Sequence, residues 1–364
     1  MINLKVNNDF ISEYSEILDL FNVECVDYDT LRAEPMKIYE DMDENEKNLI
    51  LEYNKQVEYE FDDFSSLLTG SGTNSLYTGR TKKSIIRPLT HTIPKFNRLV
   101  LENKNNTFVT CIDDIKREGI APERIPVIMK SMSKQSAINE ILSSRILNFY
   151  GCNTCFNFLI QNYKNNHNKS KSHDFACGSV DFISQKNKFY TFHELEFYFN
   201  DDIELIFKLL EYPFETIDHE RLPDIKDKGE LEKIKRDIVR SSIVRKVLLS
   251  DSDYDNRNTG LLFNPETNKY SYVDFDYELT LTYSNVIHRE RNKELLKFAY
   301  MNYRDIYDDI LEKTKYIYEA YYAGLINPNH IPDECIDPAI MLKKNIELYF
   351  KQNKEIQEEC ENQK

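Results

Sequence analysis

Between Gly229 and Leu279 the spacing of apolar residues changes from helical to strand-like, and this change constrains the fold more than any other feature. "GELEKIKRDIVRSSIVRKVLLS" places Leu231, Ile234, Ile238, Val244, Val247 and Leu248 on one broad face, the mark of a long amphipathic helix. "NTGLLF" and "KYSYVDF" then read as two strands joined by the turn "NPETN". The helix therefore runs into an acidic loop, "DSDYDNRN", and the hairpin returns the chain to a second acidic cluster, "VDFD". A hairpin sets the start of its first strand beside the end of its second, so Asn258 and Asp274 are expected to be neighbours.

The upstream half has a different texture. Residues 1–66 are acidic and read as helical, with Ile11, Ile17, Leu18 and Phe21 on one rough face and Leu49, Ile50, Tyr53, Val57 and Phe61 on another. "LLTGSGTNSLYTGRTKK" holds Gly70, Gly72 and Gly79, a third of the nine glycines, and reads as a loop. Strand-like runs follow at Arg98 to Glu102, Thr107 to Ile112 and Ile125 to Lys130, then a helix-period segment from Lys134 to Tyr150. Two more strand-like runs, Phe156 to Gln161 and Ala176 to Ser184, flank the polar surface loop "KNNHNKSKSHD". From about Tyr190 the patterns are helical, and from His288 onward helical and Tyr-rich.

At 364 residues the chain exceeds the usual length of one domain and suits about two domains or lobes. The expected fold class is α+β: a smaller β-rich lobe with one prominent helix, then a larger, mainly helical lobe carrying the hairpin. The boundaries fall at 1–66 for an N-terminal helical extension, 67–185 for the small lobe, and 186–364 for the large lobe with its helical C-terminal region.

Charge excludes some partners. Forty-seven basic against 62 acidic residues leave a net charge of −15, which repels nucleic-acid backbones and anionic membranes. No run approaches the ~18 apolar residues of a membrane span, and "MINLKVNNDF" lacks the basic and apolar parts of a signal peptide. The expectation is a soluble protein of the cytoplasm, or one delivered to the cytosol of a host cell. Seven scattered cysteines, an odd number, suit a reducing compartment, and the lone Cys152-Asn-Thr-Cys155 pair reads as buried thiols rather than zinc ligands.

The acidic hairpin suggests a chemistry. Phosphoryl transfer needs a nucleotide and Mg²⁺ held in line with a hydroxyl whose proton is accepted, and Mg²⁺ prefers carboxylate and carbonyl oxygens. Asp253, Asn258 five residues later and Asp274 after the hairpin meet that need. Taken alone, the same stretch also suits an Asx-rich turn with a solvated strand end. An EF-hand fails, because counting from Asp251 puts Asn256 where Gly is required and Leu262 where Glu is required. Upstream, "RIPVIMKSMSKQSAINEILSSRILNFYG" ends a strand on Lys130 and enters a helix carrying Glu140, a spacing that lets a helix glutamate hold a strand lysine against phosphates.

The order strand-Lys, helix-Glu, two strands, long helices, Asp-x₄-Asn, hairpin, Asp resembles the HipA-like Ser/Thr protein kinase family, in particular the branch of the bacterial cell-translocating kinases. The resemblance covers roughly residues 120 to 280 and rests on "VIMKSMSKQSAINEILSSRIL", "ACGSVDFISQKNKFYTFHEL", "SDYDNRNTGLLF" and "YSYVDFDYEL". It implies a bilobal protein-kinase-like fold, ATP and Mg²⁺ as cofactors, and transfer to Ser or Thr of a protein, bacterial or host. By matching position, Lys130 contacts phosphates, Glu140 holds Lys130, Asp253 is the base, and Asn258 and Asp274 bind metal. Val180, Asp181 and Phe182 fall at the adenine hinge, and Gly70 and Gly72 belong to a candidate phosphate-covering loop whose Ser71, Thr73, Ser75 and Thr78 are autophosphorylation candidates.

The motifs depart from the family in three places. "DYDNRN" has Asn256 and Arg257 where relatives usually carry His between the Asp and the Asn, and Asp251 and Asp255 compete with Asp253 for the base role. Asp274-Phe-Asp276 stands for Asp-Phe-Gly. Gly79 precedes Lys130 by 51 residues, far more than in a standard small lobe. A small-molecule or lipid kinase of the same fold, and a pseudokinase acting as an interaction module, are the alternatives.

Overall fold

The computed structural model describes residues 14–23, 25–31, 83–86, 127–163, 174–180, 188–192, 203–211, 225–254, 258–264, 267–282 and 289–362. These form a mixed α+β structure with two sheets and a larger helical part. Gly70, Gly72, Asp181, Phe182, Asp255 and the expected strands at 98–102 and 107–112 lie outside the described residues.

The first sheet has five strands: β1 (Cys25–Asp27), β2 (Lys83–Ile86), β3 (Val127–Ser131), β4 (Asn157–Gln161) and β5 (Phe175–Val180), in the order β1-β4-β5-β3-β2. β3 and β5 run antiparallel with Lys130 opposite Cys177, and β4 continues that row with Leu159 opposite Cys177. Directly paired residues share a face, so Lys130, Cys177 and Leu159 point the same way. Two strands of this sheet, β1 and β2, lie outside the strand-like runs of the sequence. Cys25–Asp27 falls inside a stretch expected to be helical, yet it pairs in parallel with β4. Three residues are too few to show a period, and pairing with the strand edge decides their conformation.

After β3 the chain enters helix α2 (Lys134–Phe149), following the short α1 (Ser15–Leu20) in chain order. Ser133 caps α2, its Oγ accepting from the Ser136 amide at 3.1 Å. One side of α2 packs Ala137 and Ile141 on Leu159 and Cys177 of the sheet. Its other side, through Ile138, Leu142, Ile146 and Leu147, enters the main core with the C-terminal helices. α2 therefore joins the sheet to the helical part.

The second sheet is the expected hairpin, β7 (Thr259–Asn264) and β8 (Lys269–Asp274), extended by β6 (Lys188–Thr191) to the order β6-β7-β8. β6 lies where helical character was expected to begin. Its close approach depends on Gly260: a Cβ there would sit 2.2 Å from the Tyr190 carbonyl oxygen. Helices α3 (Ile203–Glu211), α4 (Lys228–Ile243), α5 (Arg289–Asn302), α6 (Arg304–Tyr322) and α7 (Ile336–Glu361) complete the helical part. The Tyr-rich C-terminal end is thus helical, as its pattern implies. No described helix is long and apolar enough to cross a membrane. Cys152 and Cys155 are buried free thiols.

Candidate functional site

Three elements converge on Lys130. β3 presents its side chain on the α2 face of the sheet, and the ammonium lies 3.2 Å from Glu140 Oε2 of α2. The same Nζ reaches across to the segment after β8, 2.5 Å from Asp276 Oδ1 and 3.7 Å from Glu278 Oε2. Lys130 is 5% exposed and Glu140 is buried, whereas Asp276 and Glu278 are half-buried at the open side of the cluster. Burial alone would lower its pKa, but Glu140, Asp276 and Glu278 more than reverse that and hold it above the ordinary lysine value. For Glu140 the balance falls the other way: burial pushes its carboxyl up to about 7, and the Lys130 ammonium only partly offsets this.

Asp276 reaches Lys130 because the backbone turns. On a regular strand Asp274 and Asp276 would face the same side, but β8 ends at Asp274 and Asp276 adopts a left-handed φ of 64°. Asp tolerates that region better than most residues, and Gly tolerates it best. The position that would hold the Gly of an Asp-Phe-Gly motif is therefore one whose backbone favours Gly, and here it holds a carboxylate instead.

Asp274 faces inward. It is 0% exposed, and its Oδ1 accepts from Tyr272 at 2.8 Å and from Arg245 at 3.3 Å, while Ser241 donates to Oδ2. Burial raises its pKa, with Arg245, Ser241 and Tyr272 opposing. The register Thr259 opposite Asp274 brings the two ends of the hairpin together as expected, and the Phe275 amide donates to the Asn258 carbonyl at 3.2 Å. Sequence reasoning placed Asp274 and Asn258 correctly as neighbours, but Asp276 and Glu278 are the acids at Lys130.

The loop after α4 carries the remaining candidates. Asp251 is buried, its Oδ2 accepting from Arg245 Nε at 2.7 Å, and its Oδ1 accepts from the Asp253 amide at 3.0 Å. Those contacts commit Asp251 to the loop's structure. Asp253 is half-buried. Asn258 Nδ2 donates to the Asp253 carbonyl at 2.8 Å and to its Oδ2 at 3.3 Å, which orients both side chains. Val180 is buried at the end of β5, paired with Val127.

The residue that sequence reasoning missed is Arg245. α4 widens into a π-helical turn at Val244–Leu248, and the Leu249 amide reaches back to the Val244 carbonyl. That turn directs Arg245 inward, where it is 0% exposed between the rings of Tyr254 and Tyr277, at 4.5 and 4.7 Å from their centroids. The available signal was an arginine inside an apolar run, "IVRKVLL".

No family model matches this sequence. No curated protein matches it significantly. Among solved structures, the chain is similar to a Helicobacter pylori proinflammatory kinase, CtkA, with 12% identity and a TM-score of 0.36 over 61% of this chain and 86% of that one. Such a likeness is loose and carries no weight for the chemistry of this chain.

Proposed function

We propose that this chain is an ATP- and Mg²⁺-dependent phosphotransferase with a two-lobed, kinase-like fold, passing the γ-phosphate to Ser or Thr of a protein. One observation carries the reading: a buried strand lysine held by a helix glutamate meets the acidic end of the hairpin, with Lys130 Nζ 3.2 Å from Glu140 and 2.5 Å from Asp276. Phosphoryl transfer is mostly positioning and charge stabilisation, and this arrangement gathers a phosphate-binding cation and hard oxygen ligands in one place.

The donor set suits Mg²⁺ in part. Carboxylate oxygens of Glu140, Asp276 and Glu278 lie within 4.8 Å of one another, and the motif resemblance adds the amide oxygen of Asn258 as a further ligand. Asn258 and Asp276 would hold the cation, whose charge would offset that of the phosphates. Asp274, expected at that place from the sequence, is turned inward with both of its oxygens accepting from protein donors, so in this reading Asp276 takes the place beside Lys130. Three carboxylates against one ammonium also make the cluster hostile to a bare polyphosphate, so nucleotide binding should depend on the divalent cation.

In this reading Lys130 orients the phosphates and Glu140 keeps Lys130 from swinging away. Asp253, aligned by Asn258, accepts the proton of the acceptor hydroxyl as its oxygen bonds to phosphorus and the bond to the leaving phosphate oxygen breaks. The protein acceptor follows from the motif resemblance around Lys130, Asp253 and Asp274. Replacing Asp253 by Ala should lower the transfer rate by about 10² to 10⁴ while nucleotide binding persists. Undiminished transfer by that variant would remove Asp253 as the base.

A further inference from the structure

We infer that Arg245 is a positioning residue that locks Asp274 as an anchor, leaving Asp276 as the strand-end carboxylate presented to Lys130. This inference rests on the phosphotransfer reading and assigns the two acids of "DFD" separate roles.

Arg245 binds the backbone at both ends of the hairpin, beside Asn258 and Asp276. Its Nη1 donates to the carbonyls of Asn258 and Phe275, each at 3.3 Å, and its Nη2 to the carbonyl of Asp276 at 3.0 Å. Its Nε and Nη2 hold Asp251 Oδ2 at 2.7 and 2.5 Å, and Nη1 holds Asp274 Oδ1 at 3.3 Å. One guanidinium thus ties the start of the acidic loop, the start of β7 and the end of β8 to the last turn of α4. A planar fork can serve so many acceptors at once, whereas an ammonium cannot.

The ring stack on Tyr254 and Tyr277 fixes the plane of the fork. Tyr277 adds a bond of its own, donating to the Asp274 carbonyl at 2.6 Å. Asp274 is therefore held through side chain and backbone together. With Phe275 packed on Phe189, the chain next becomes free to turn at Asp276, whose left-handed backbone aims it at Lys130.

The test uses the full chain and Mn²⁺ as the probe, with binding read by electron paramagnetic resonance in the presence of a non-hydrolysable ATP analogue. Asp276→Asn, which keeps an Asx side chain suited to the left-handed backbone, should weaken Mn²⁺ binding by about tenfold or more with little change in melting temperature. Asp274→Asn should lower the melting temperature and kcat but leave Mn²⁺ affinity within about threefold of the wild type, the spread ordinary context effects produce. Arg245→Lys should cut kcat by about tenfold or more at nearly constant KM for ATP, since it loosens geometry rather than removing a ligand.

If Asp274→Asn does not fold, Tyr272→Phe removes one donor from Asp274 without uncovering a charge, and it should lower stability with Mn²⁺ affinity intact. Loss of Mn²⁺ in Asp274→Asn or Tyr272→Phe, with Asp276→Asn unaffected, overturns the assignment. Unchanged kcat in Arg245→Lys overturns the positioning role. A wild-type protein that neither binds Mn²⁺ with nucleotide nor transfers phosphate sinks the phosphotransfer reading itself, a result distinct from either of these.

Discussion

Replacing Glu140 by Gln should change how stability depends on pH, and the structure gives the sign. Glu140 is enclosed by β3, α2 and the segment after β8, with Lys130, Asp276 and Glu278 as its charged neighbours and the Cys177 thiol nearby. Its folded-state value of about 7 stands against the ordinary 4.5. Below pH 4.5 both folded and unfolded chains hold the proton, and the residue adds nothing to the pH dependence. Between 4.5 and 7 the unfolded chain has lost the proton while the folded chain keeps it, so stability falls as pH rises, by about 1.4 kcal/mol per pH unit. Above 7 the dependence levels off. The full span amounts to roughly 3 kcal/mol.

Gln has nearly the same shape and cannot titrate, so it removes that dependence. Lys130 does not interfere, because its three carboxylates hold it above the ordinary lysine value and keep it charged throughout this range. Urea unfolding of wild type and Glu140→Gln at pH 5, 6, 7 and 8 gives the difference directly. The variant should gain on the wild type by roughly 2 to 3 kcal/mol between pH 5 and 8, even as it loses the group that restrains Lys130. A difference that does not vary with pH, or one that moves against the variant as pH rises, refutes the reasoning, since it would mean that the Lys130 contact outweighs burial.

Other consequences are local. Gly260→Ala forces a Cβ into the Tyr190 carbonyl of β6, and the strands must separate at a cost of about 1 to 3 kcal/mol, measurable as a lower melting temperature. Ser133→Ala removes the cap of α2 and should cost about 1 kcal/mol in denaturant unfolding.

The parts of the site that the sequence reveals are those set by local pattern. Lys130 ends an apolar run and Glu140 lies on a helix whose cap, Ser133, is also readable, so their meeting follows from the strand-to-helix order. The hairpin and the neighbouring positions of Asn258 and Asp274 follow from two strands and a turn. What was hidden depends on long-range choice. Alternation along β8 gives Asp274 and Asp276 the same side, and only the left-handed turn at Asp276 separates them. Arg245 is one of many basic residues on an amphipathic helix until the widened turn buries it. β1 and β6, of three and four residues, form because the edges of β4 and β7 accept them.

The central claim is that Lys130, Glu140 and the hairpin acids form a phosphate-transfer site. Incubating the protein with γ-labelled ATP, Mg²⁺ and a generic Ser/Thr protein acceptor, beside Lys130→Met, tests it most directly. The account predicts label on protein with the wild type and none with Lys130→Met. Absence of label from the wild type, together with no rise in its melting temperature when ATP and Mg²⁺ are added, would contradict it.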